Sequence, residues 1–182
     1  MGVEIRGMDR LKAKIGKLTE ATKKGTENAV YEMTQEVSGR AVGNLSSIKH
    51  GSGELVGSVK DEVESNSSGN PVGHVWTDKK EGLFRELGTG PNGEKSDKSD
   101  ISPLITPVYT QRAWFFPVTA SVEDLTVLYG IPKVEIQGIE FYFTSGQPAR
   151  PWLYPALKYV EENLANEIVK RNVSEAIRKG LK

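Results

Sequence analysis

Apolar and small side chains recur in steps of three and four residues over the first part of the chain. They are Met8, Leu11, Ile15, Leu18, Ala21 or Thr22, Gly25, Ala29, Met33, Val37 and Ala41. This spacing places one apolar stripe on a helix and predicts a helix over residues 8–44, either continuous or broken into a pair. Gly25 costs up to about 1 kcal/mol relative to alanine, so a bend is expected there. Two roles are open: packing on the protein's own sheet, or packing there while one end also reaches a neighbouring subunit.

The next part of the sequence consists of short runs separated by turn residues. Residues 54–64 and 72–77 predict two strands, joined by a turn over residues 66–71 that is rich in Asn, Ser, Gly and Pro. Residues 83–87 form a short apolar patch. Residues 91–102 are almost wholly polar and predict a mobile surface loop.

Two aromatic-rich runs, residues 109–118 and 140–144, predict further strands, with a short helix over residues 122–129 between them. The run Trp114–Phe116 suits either a protein core or stacking on nucleic-acid bases, and core packing is the commoner role. Adjacent strand residues point to opposite faces, so one of these rings is expected to remain available to a partner.

The last part of the sequence predicts a second amphipathic helix. Pro151 stands at a helix-opening position, and apolar residues follow at near-helical spacing, with a phase shift near residues 168–173. The order helix, antiparallel strands, helix is that of an α+β fold, with both helices packed on a small antiparallel sheet. We expect one domain over residues 1–182. Its parts are an N-terminal helix, a sheet region with a long inserted loop or hairpin, and a C-terminal helix, at residues 8–44, 54–145 (insertion 91–140) and 151–182.

The net charge is zero, with 24 basic and 24 acidic residues, but the charges are segregated. Residues 1–24 hold seven Lys or Arg against three Asp or Glu, and residues 146–182 hold seven against four, which leaves −7 for residues 25–145. Proteins that grip DNA through many phosphates usually carry a basic excess, so no specific nucleic-acid grip is expected. The sequence has neither the apolar core of a signal peptide nor a run that could span a bilayer. We therefore expect no membrane contact.

The sequence offers no recognisable catalytic or metal site. There is no cysteine, and the two histidines, His50 and His74, stand in no metal-binding spacing. Ser52 lacks the flanking pattern of an activated serine, and Gly88–Gly90 is too short to cradle a phosphate. Carboxylates such as Glu86 could serve in acid–base chemistry but are expected to be solvated side chains. We predict a protein that is not an enzyme and that has no cofactor and no metal.

Three segments together resemble a known family. Residues 52–59 (Ser-Gly-Glu-Leu-Val-Gly-Ser-Val) are similar to a Thr-Gly-x-Leu-x-x-Ser-Ile pattern, and residues 84–90 to an aromatic-x-Glu-x-Gly-Thr element. Residues 146–157 are close to a Pro-Ala-Arg-Pro-Phe-Leu-x-Pro-Ala-Leu element that opens a C-terminal helix. In this order they resemble the tail-component family of long-tailed bacteriophages, which are head–tail joining or tail-completion proteins. The departures are Ser52 for Thr, Trp152 for Phe and a long middle segment.

The resemblance implies a structural virion protein of a tailed phage or prophage, which joins head and tail or completes the tail at the neck. It implies a homo-oligomeric ring, other neck and tail proteins as partners, and assembly in the host cytoplasm before incorporation in the virion. The residues that carry it, as contacts between chains or as positions that fix the fold, are Gly53, Leu55, Ser58, Glu86, Gly88, Thr89, Pro148, Arg150, Pro151 and Trp152. A different class remains open: a nucleic-acid-binding module that uses the basic terminal helices and the strand aromatics.

Several of these residues also have a physical role that does not depend on the family. Gly53 and Gly88 can adopt positive φ, which permits tight turns. Pro151 holds Arg150 on an extended segment, where its guanidinium can pair with a carboxylate. Glu86 is the candidate partner. Two functions are open for such a pair: stabilising the fold or contacting another chain.

Overall fold

The computed structural model describes residues 7–47, 53–121 and 123–181. In chain order, its α-helices and strands are α1 (Met8–Ser46), α2 (Glu54–Gly57), β1 (Val59–Ser65), β2 (Pro71–Thr77), α3 (Lys80–Leu87), α4 (Gly90–Glu94), β3 (Trp114–Pro117), α5 (Leu125–Tyr129), β4 (Lys133–Ile136), β5 (Ile139–Thr144), α6 (Tyr154–Asn163) and α7 (Ala165–Gly180), and a 3₁₀ helix, Val118–Ala120, follows β3. The strands form two small antiparallel sheets, β1–β2 and β3–β5–β4. The predicted α+β class is confirmed.

The chain divides into two compact units, each built from separate stretches of sequence. The first unit comprises Met1–Arg40, Lys60–Trp76 and Leu157–Lys182, and the second comprises Ala41–Val59 and Thr77–Ala156. Helices from the two ends of the sequence therefore contribute to the same unit.

In the first unit, α7 lies against α1, and the two helices approach closely at a glycine. A Cβ at Gly25 would be only 2.7 Å from Val173 Cα. Glu32 of α1 accepts hydrogen bonds from Arg171 and from Asn172, the latter at 2.7 Å. Gly25 thus permits close helix packing, and α1 continues through it as one helix rather than as a broken pair.

The β1–β2 hairpin of the first unit also packs on α1. At Gly73 of β2, an added Cβ would overlap with the hydroxyl oxygen of Thr34. Asp61 of β1 accepts a hydrogen bond from Ser38 Oγ at 2.9 Å. Asn66 Oδ1 closes the turn by accepting two backbone N–H bonds at 3.0 Å. The predicted turn and return strand are confirmed.

In the second unit, β5 is the central strand of the three-stranded sheet. Gln137 and Gly138 connect β4 to β5 with φ of 53° and 78°, the left-handed conformation that tight two-residue hairpin turns require. Tyr142 on β5 is 1% exposed, and its ring centroid lies 5.3 Å from that of Phe116 on β3. The Tyr142 hydroxyl accepts the backbone N–H of Leu125 at 3.1 Å, which ties α5 to this side of the sheet.

The strand predicted over residues 54–64 is wrong in its first half. Residues 54–57 form the helix α2, which follows Gly53 at φ 72°, and the strand begins only at Val59. Ser58 marks the boundary, because both its backbone N–H and its hydroxyl donate to Leu55 O, at 3.2 and 2.7 Å. A local side-chain bond of this kind competes with strand pairing.

The polar stretch predicted as a loop contains a helix and a buried side chain, so that prediction is wrong there. Residues 90–94 form α4, and Ile101 is 6% exposed. Lys98 Nζ donates to Gly93 O and to the Tyr109 hydroxyl, both at 2.7 Å. Lys98 belongs to a stretch that was expected to be a mobile surface loop because it is polar, yet its ammonium donates hydrogen bonds within its own chain.

The short apolar patch belongs to a helix, and one further strand is shorter than the sequence predicts. Residues 83–87 form the end of α3, and the strand predicted over 109–118 is limited to Trp114–Pro117. The short helix predicted over 122–129 is confirmed as α5, although Val122 lies outside the described residues.

The predicted C-terminal helix begins later than Pro151 and is interrupted. α6 begins at Tyr154, and Leu164, with φ of −118°, separates it from α7. The predicted change of helical phase near residues 168–173 therefore corresponds to a break that lies earlier in the chain.

Candidate interaction surfaces

Two of the three segments that carry the family resemblance, the second and the third, meet in the second unit at Glu86 of α3. Glu86 is 9% exposed, and Oε2 accepts the backbone N–H of Trp152 at 2.6 Å and of Leu153 at 2.9 Å. Its Oε1 accepts the N–H of Tyr154 at 2.9 Å. These N–H groups stand at the start of α6, where backbone donors have no partner within the helix and where the helix dipole favours an anion. We call these four residues the Glu86 junction; the cap explains why the helix begins at Tyr154.

Trp152 anchors the Glu86 junction in the core of the second unit. It is 2% exposed, and its indole Nε1 donates to Gly82 O at 2.9 Å. A Cβ at Gly82 would lie 3.3 Å from Leu55 Cδ1 and 3.4 Å from Trp152 Cζ2, so the first and third motifs meet here. The hydroxyl of Ser58 lies 2.6 Å from that of Thr77. Leu55, Ser58 and Trp152 therefore stabilise this unit.

The second and third motifs are also joined through their backbones. Thr89 N–H donates to Gln147 O at 2.9 Å, and Gln147 N–H donates back to the Thr89 hydroxyl at 3.1 Å. Gly88 has φ of 76°, and a Cβ there would be 2.7 Å from Ala149 N. Glycine is thus required at this position by both its φ and the close approach of the third motif. Pro148 follows Gln147 and is exposed.

The predicted pairing of Arg150 with Glu86 is wrong. The carboxylate of Glu86 is occupied by backbone N–H groups, and it is buried rather than solvated. Arg150 is exposed, and its backbone N–H donates to Arg85 O at 2.8 Å. Pro151, which follows, is half-buried between Arg150 and the Glu86 junction.

Arg85 and Arg150 line an open cleft of about 1000 Å³ in the second unit, which we call the arginine cleft. Nε and Nη2 of Arg85 are buried and have no hydrogen-bond acceptor among the described residues. Burial, and secondarily the positive charge of Arg150, lower the pKa of Arg85 from its usual value. The described lining of the cleft thus contains two guanidiniums and no carboxylate.

Sequence reasoning selected Arg150 but missed Arg85. Arg85 stands beside Glu86 within the second motif, and nothing in its spacing marks it as different from other surface arginines. Only the packed structure, in which α3 meets the segment before α6, shows that two of its nitrogen atoms are buried without an acceptor among the described residues.

The three-stranded sheet of the second unit presents an apolar strand surface. In the sheet register, Val134 pairs with Phe141 and Ile136 with Ile139, and directly paired residues share a face. Val134, Ile136 and Ile139 are 38, 42 and 57% exposed. Phe115 of β3 is also exposed, at 49%, while the next ring is half-buried, which agrees with the predicted alternation of the aromatic run.

A second exposed apolar surface lies at the start of α1, in the first unit. The last residue of α7, Gly180, lies beside Ala21, so the first turns of α1 extend beyond α7. The apolar stripe continues along them as Met8, Leu11, Ile15 and Leu18, which are 41, 53, 54 and 39% exposed. We call these four side chains the α1 stripe.

Within the part of the chain that the structure describes, no group of His, Asp or Glu side chains converges in a way that could hold a metal ion. His74 lies on β2 with Nε2 3.2 Å from Glu64 Oε1, and both side chains are exposed. His50 and Ser52 lie outside the described residues.

The helices described in the structure include none that combines the length and the apolar character needed to cross a bilayer. Comparison of the chain with protein-family models, with curated proteins and with solved structures finds no match. The resemblance to the tail-component family therefore remains a prediction from the sequence.

Proposed function

We propose that this protein is a non-catalytic structural subunit of a tailed phage or prophage virion. It joins head and tail, or completes the tail, at the neck, where it forms a homo-oligomeric ring in contact with other neck and tail proteins. It is made in the host cytoplasm, uses no cofactor, and ends in the virion. The proposal combines the family resemblance with the surfaces of the two units.

The arrangement of the three motifs supports the resemblance as a structural likeness. Residues far apart in sequence, such as Glu86 and Trp152, are in direct contact, and the glycine at position 88 is demanded by the neighbouring motif. Residue types that recur together in a family because they pack together are expected to behave in this way. The three motifs thus stabilise the fold of the second unit, and other residues make the contacts with partners.

The observation that carries an assembly function is the α1 stripe. Its four side chains continue the apolar surface that α7 covers further along the same helix, yet they are exposed. Contiguous apolar patches on soluble proteins commonly mark interaction sites. A subunit that works by docking to other chains needs such a surface, whereas an enzyme needs a cluster of reactive groups.

Incorporation into particles tests the function. An affinity-tagged copy is expressed during growth of the phage or prophage whose genome encodes the chain, and particles are purified and labelled with gold for electron microscopy. We expect gold at the neck. Particles without the tagged chain, or gold on the capsid surface or the tail tip, would contradict the proposal.

A pair of variants in α1 makes the same experiment specific to the stripe. Ile15→Lys places a charge within the α1 stripe, where 54% of the side chain is already exposed, so the fold should be kept while incorporation falls. Arg10→Gln changes an exposed residue away from the stripe and should enter particles normally. Equal incorporation of both variants would show that the α1 stripe is not needed for assembly into particles.

Nucleic-acid binding is the second candidate, favoured by one observation. Arg10, Lys12, Lys14 and Lys17 are all exposed on the first turns of α1. A gel-shift titration with duplex DNA at several salt concentrations separates the two functions. The structural proposal expects weak binding, whereas affinity that falls steeply with salt would show that many phosphates are neutralised and would favour the nucleic-acid function.

A further inference from the structure

The arginine cleft is the feature of the second unit that the proposed function leaves unused. Two donor atoms of Arg85 are buried without an acceptor, and a second guanidinium, that of Arg150, lines the same cleft. A buried donor that lacks a partner costs about 1–3 kcal/mol, and more if it is charged. A carboxylate bound in the cleft would balance the charge of the two arginines, because guanidinium and carboxylate match in a planar, bidentate geometry.

The cleft also has an apolar side. α5 and the segment that leads into β4 contribute Leu125, Leu128, Ile131 and Pro132 to its lining, and Phe143 of β5 lies beside them. A ligand that fills the cleft must therefore combine an acidic group with apolar side chains. A free inorganic anion would satisfy the arginines and leave the apolar lining uncovered.

The tip of the β4–β5 hairpin carries this combination. Glu135 and Glu140 face each other across the two strands, so two like charges share one face. Ile136 and Ile139 share the other face and are 42 and 57% exposed. We call these four residues the hairpin tip; it is acidic on one side and apolar on the other.

The hairpin tip cannot reach the arginine cleft of its own copy while the hairpin is paired. Phe143 N–H donates to Pro132 O at 2.9 Å, so both residues stand at the base of the hairpin, where they line the cleft. Ile136 is four residues further along β4, about 13 Å away at the rise of an extended strand. The hairpin tip thus lies at the end of the two-stranded ribbon that is away from the cleft.

We infer that the hairpin tip of one copy docks in the arginine cleft of a second copy, with Glu135 and Glu140 against the arginines and the two isoleucines against the apolar lining. This contact rests on the proposed ring, and it names the surfaces that would build it. It joins two different surfaces of identical subunits, which is the kind of contact that generates a ring when the rotation closes.

Charge favours a second copy over nucleic acid as the occupant. The cleft lies within the part of the chain, residues 25–145 and the segment just after it, where acidic residues are in excess by seven up to residue 145. A polyanion that approached this surface would meet that excess, whereas a hairpin with two carboxylates brings its charge directly to the two arginines. The same hairpin supplies the apolar side chains that a phosphate backbone lacks.

Single-cysteine variants of the full chain test the contact, because the native sequence has no cysteine. Ile136→Cys in the hairpin tip is mixed with Leu128→Cys in the cleft, at high protein concentration and under mild oxidation. We expect a covalent dimer in the mixture that exceeds what either variant forms alone. Val127→Cys is the matched control: it neighbours Leu128 on α5, is 81% exposed and does not line the cleft, so it should form little dimer with Ile136→Cys.

Charge reversal tests the chemistry of the same contact by sedimentation. Arg150→Glu changes an exposed residue, so the fold should be kept, and the self-association constant should fall at least about tenfold. Glu135→Arg with Glu140→Arg should have a similar effect. All three substitutions in one chain should restore part of the association, because the charges are again opposite.

The outcomes separate this inference from the proposed function. A chain that stays monomeric at the highest concentration, or that cross-links equally well through residues 127 and 128, overturns the hairpin contact. Association that is unaffected by both charge reversals also overturns it. The gold-labelling experiment can still succeed in these cases, and the cleft would then belong to another neck protein.

Discussion

Glu86 and Arg85 are neighbours on α3, yet the hydrogen-bond partners of their charged groups differ completely. Glu86 is 9% exposed and accepts three backbone N–H bonds at the start of α6. Arg85 has two buried nitrogen atoms without an acceptor among the described residues, and it lines an open cleft. The charge of Glu86 is compensated by its own chain, whereas two nitrogen atoms of Arg85 have no acceptor among the described residues.

This difference distinguishes residues that stabilise the fold from residues available for binding. A carboxylate that satisfies the first turn of a helix is expected to be costly to change and insensitive to partners. A buried cation without a partner is expected to have the opposite properties, since its removal relieves the isolated chain and would weaken only the proposed contact between copies. Stability and association should therefore separate cleanly between the two positions.

The largest effect is expected for Glu86→Gln. The amide keeps the size of the side chain but loses the charge and turns one donor group towards the backbone N–H groups of Trp152 and Leu153 or of Tyr154. We expect the free energy of unfolding to fall by about 3 kcal/mol, measured by urea denaturation. A loss below about 0.5 kcal/mol would mean that the Glu86 junction does not stabilise the second unit.

Two glycines of α1 also differ in their surroundings: Gly25 is tightly packed against α7, whereas the space around Gly39 is open. Gly25→Ala places a Cβ 2.7 Å from Val173 Cα, so the helices must separate, and we expect a loss of about 2 kcal/mol in the free energy of unfolding. Gly39→Ala is the matched control, because a Cβ there meets nothing within 4 Å, and it should stabilise the protein by about 0.5–1 kcal/mol. Equal effects at both glycines would contradict the close packing of α1 and α7.

Trp152→Phe introduces the residue type of the family pattern and should cost less. It removes the Nε1 bond to Gly82 O and leaves that carbonyl without its donor, so we expect a loss of about 1–2 kcal/mol by urea denaturation. Phe84→Leu, at a ring that is 46% exposed, should change stability by less than about 0.5 kcal/mol. If Trp152→Phe is as neutral as this control, the indole bond contributes nothing to the second unit.

Arg85→Met should leave the unfolding free energy unchanged or raise it by up to about 1 kcal/mol, in contrast with its neighbour Glu86. The reason is that methionine occupies a similar volume without buried, unpaired donors. The measurement is urea denaturation at low protein concentration, where the chain is not associated. A loss comparable with that of Glu86→Gln would mean that Arg85 stabilises the fold, and the comparison between the two would fail.

The smallest effect concerns the exposed ion pair that holds α5 beside β4. The hydrogen bond from Lys133 Nζ, and then the backbone N–H of Thr126, lower the pKa of Asp124 from 3.8 to about 2. The unfolded chain therefore takes up this proton more readily than the folded one, so the stabilisation is present above pH 3.8 and is lost as the pH falls towards 2. Asp124→Asn should be slightly less stable than the native protein at pH 6, and the difference should vanish near pH 2. A difference independent of pH would contradict the ion pair.

The fold class could be predicted because the long periodic segments dominate it. The stripe from Met8 to Ala41 predicted α1, and the Asn-rich turn before Val72 predicted the β1–β2 hairpin. The errors occur where a single side chain overrides the local pattern. Ser58 ends the helix in place of the expected strand, and Lys98 orders a segment that its composition predicted to be mobile.

The candidate surfaces were predictable only in part, for the same reason. The motifs identified Glu86 and Trp152, but sequence spacing carries no distance, so Glu86 was assigned to Arg150 rather than to the start of α6. Arg85 was missed because an unpaired buried donor is a property of the packed unit. The exposed ring at position 115 was predictable, since strand alternation alone requires one of two adjacent rings to face outward.

The most direct test of the central claim is the copy number of this chain in purified particles of the phage or prophage whose genome encodes it. Quantitative mass spectrometry against labelled peptides, normalised to the major capsid protein, gives that number. A structural ring at the neck predicts a small, fixed number of copies in every particle, reproducible between preparations. Absence of the chain from intact, infectious particles would contradict the account.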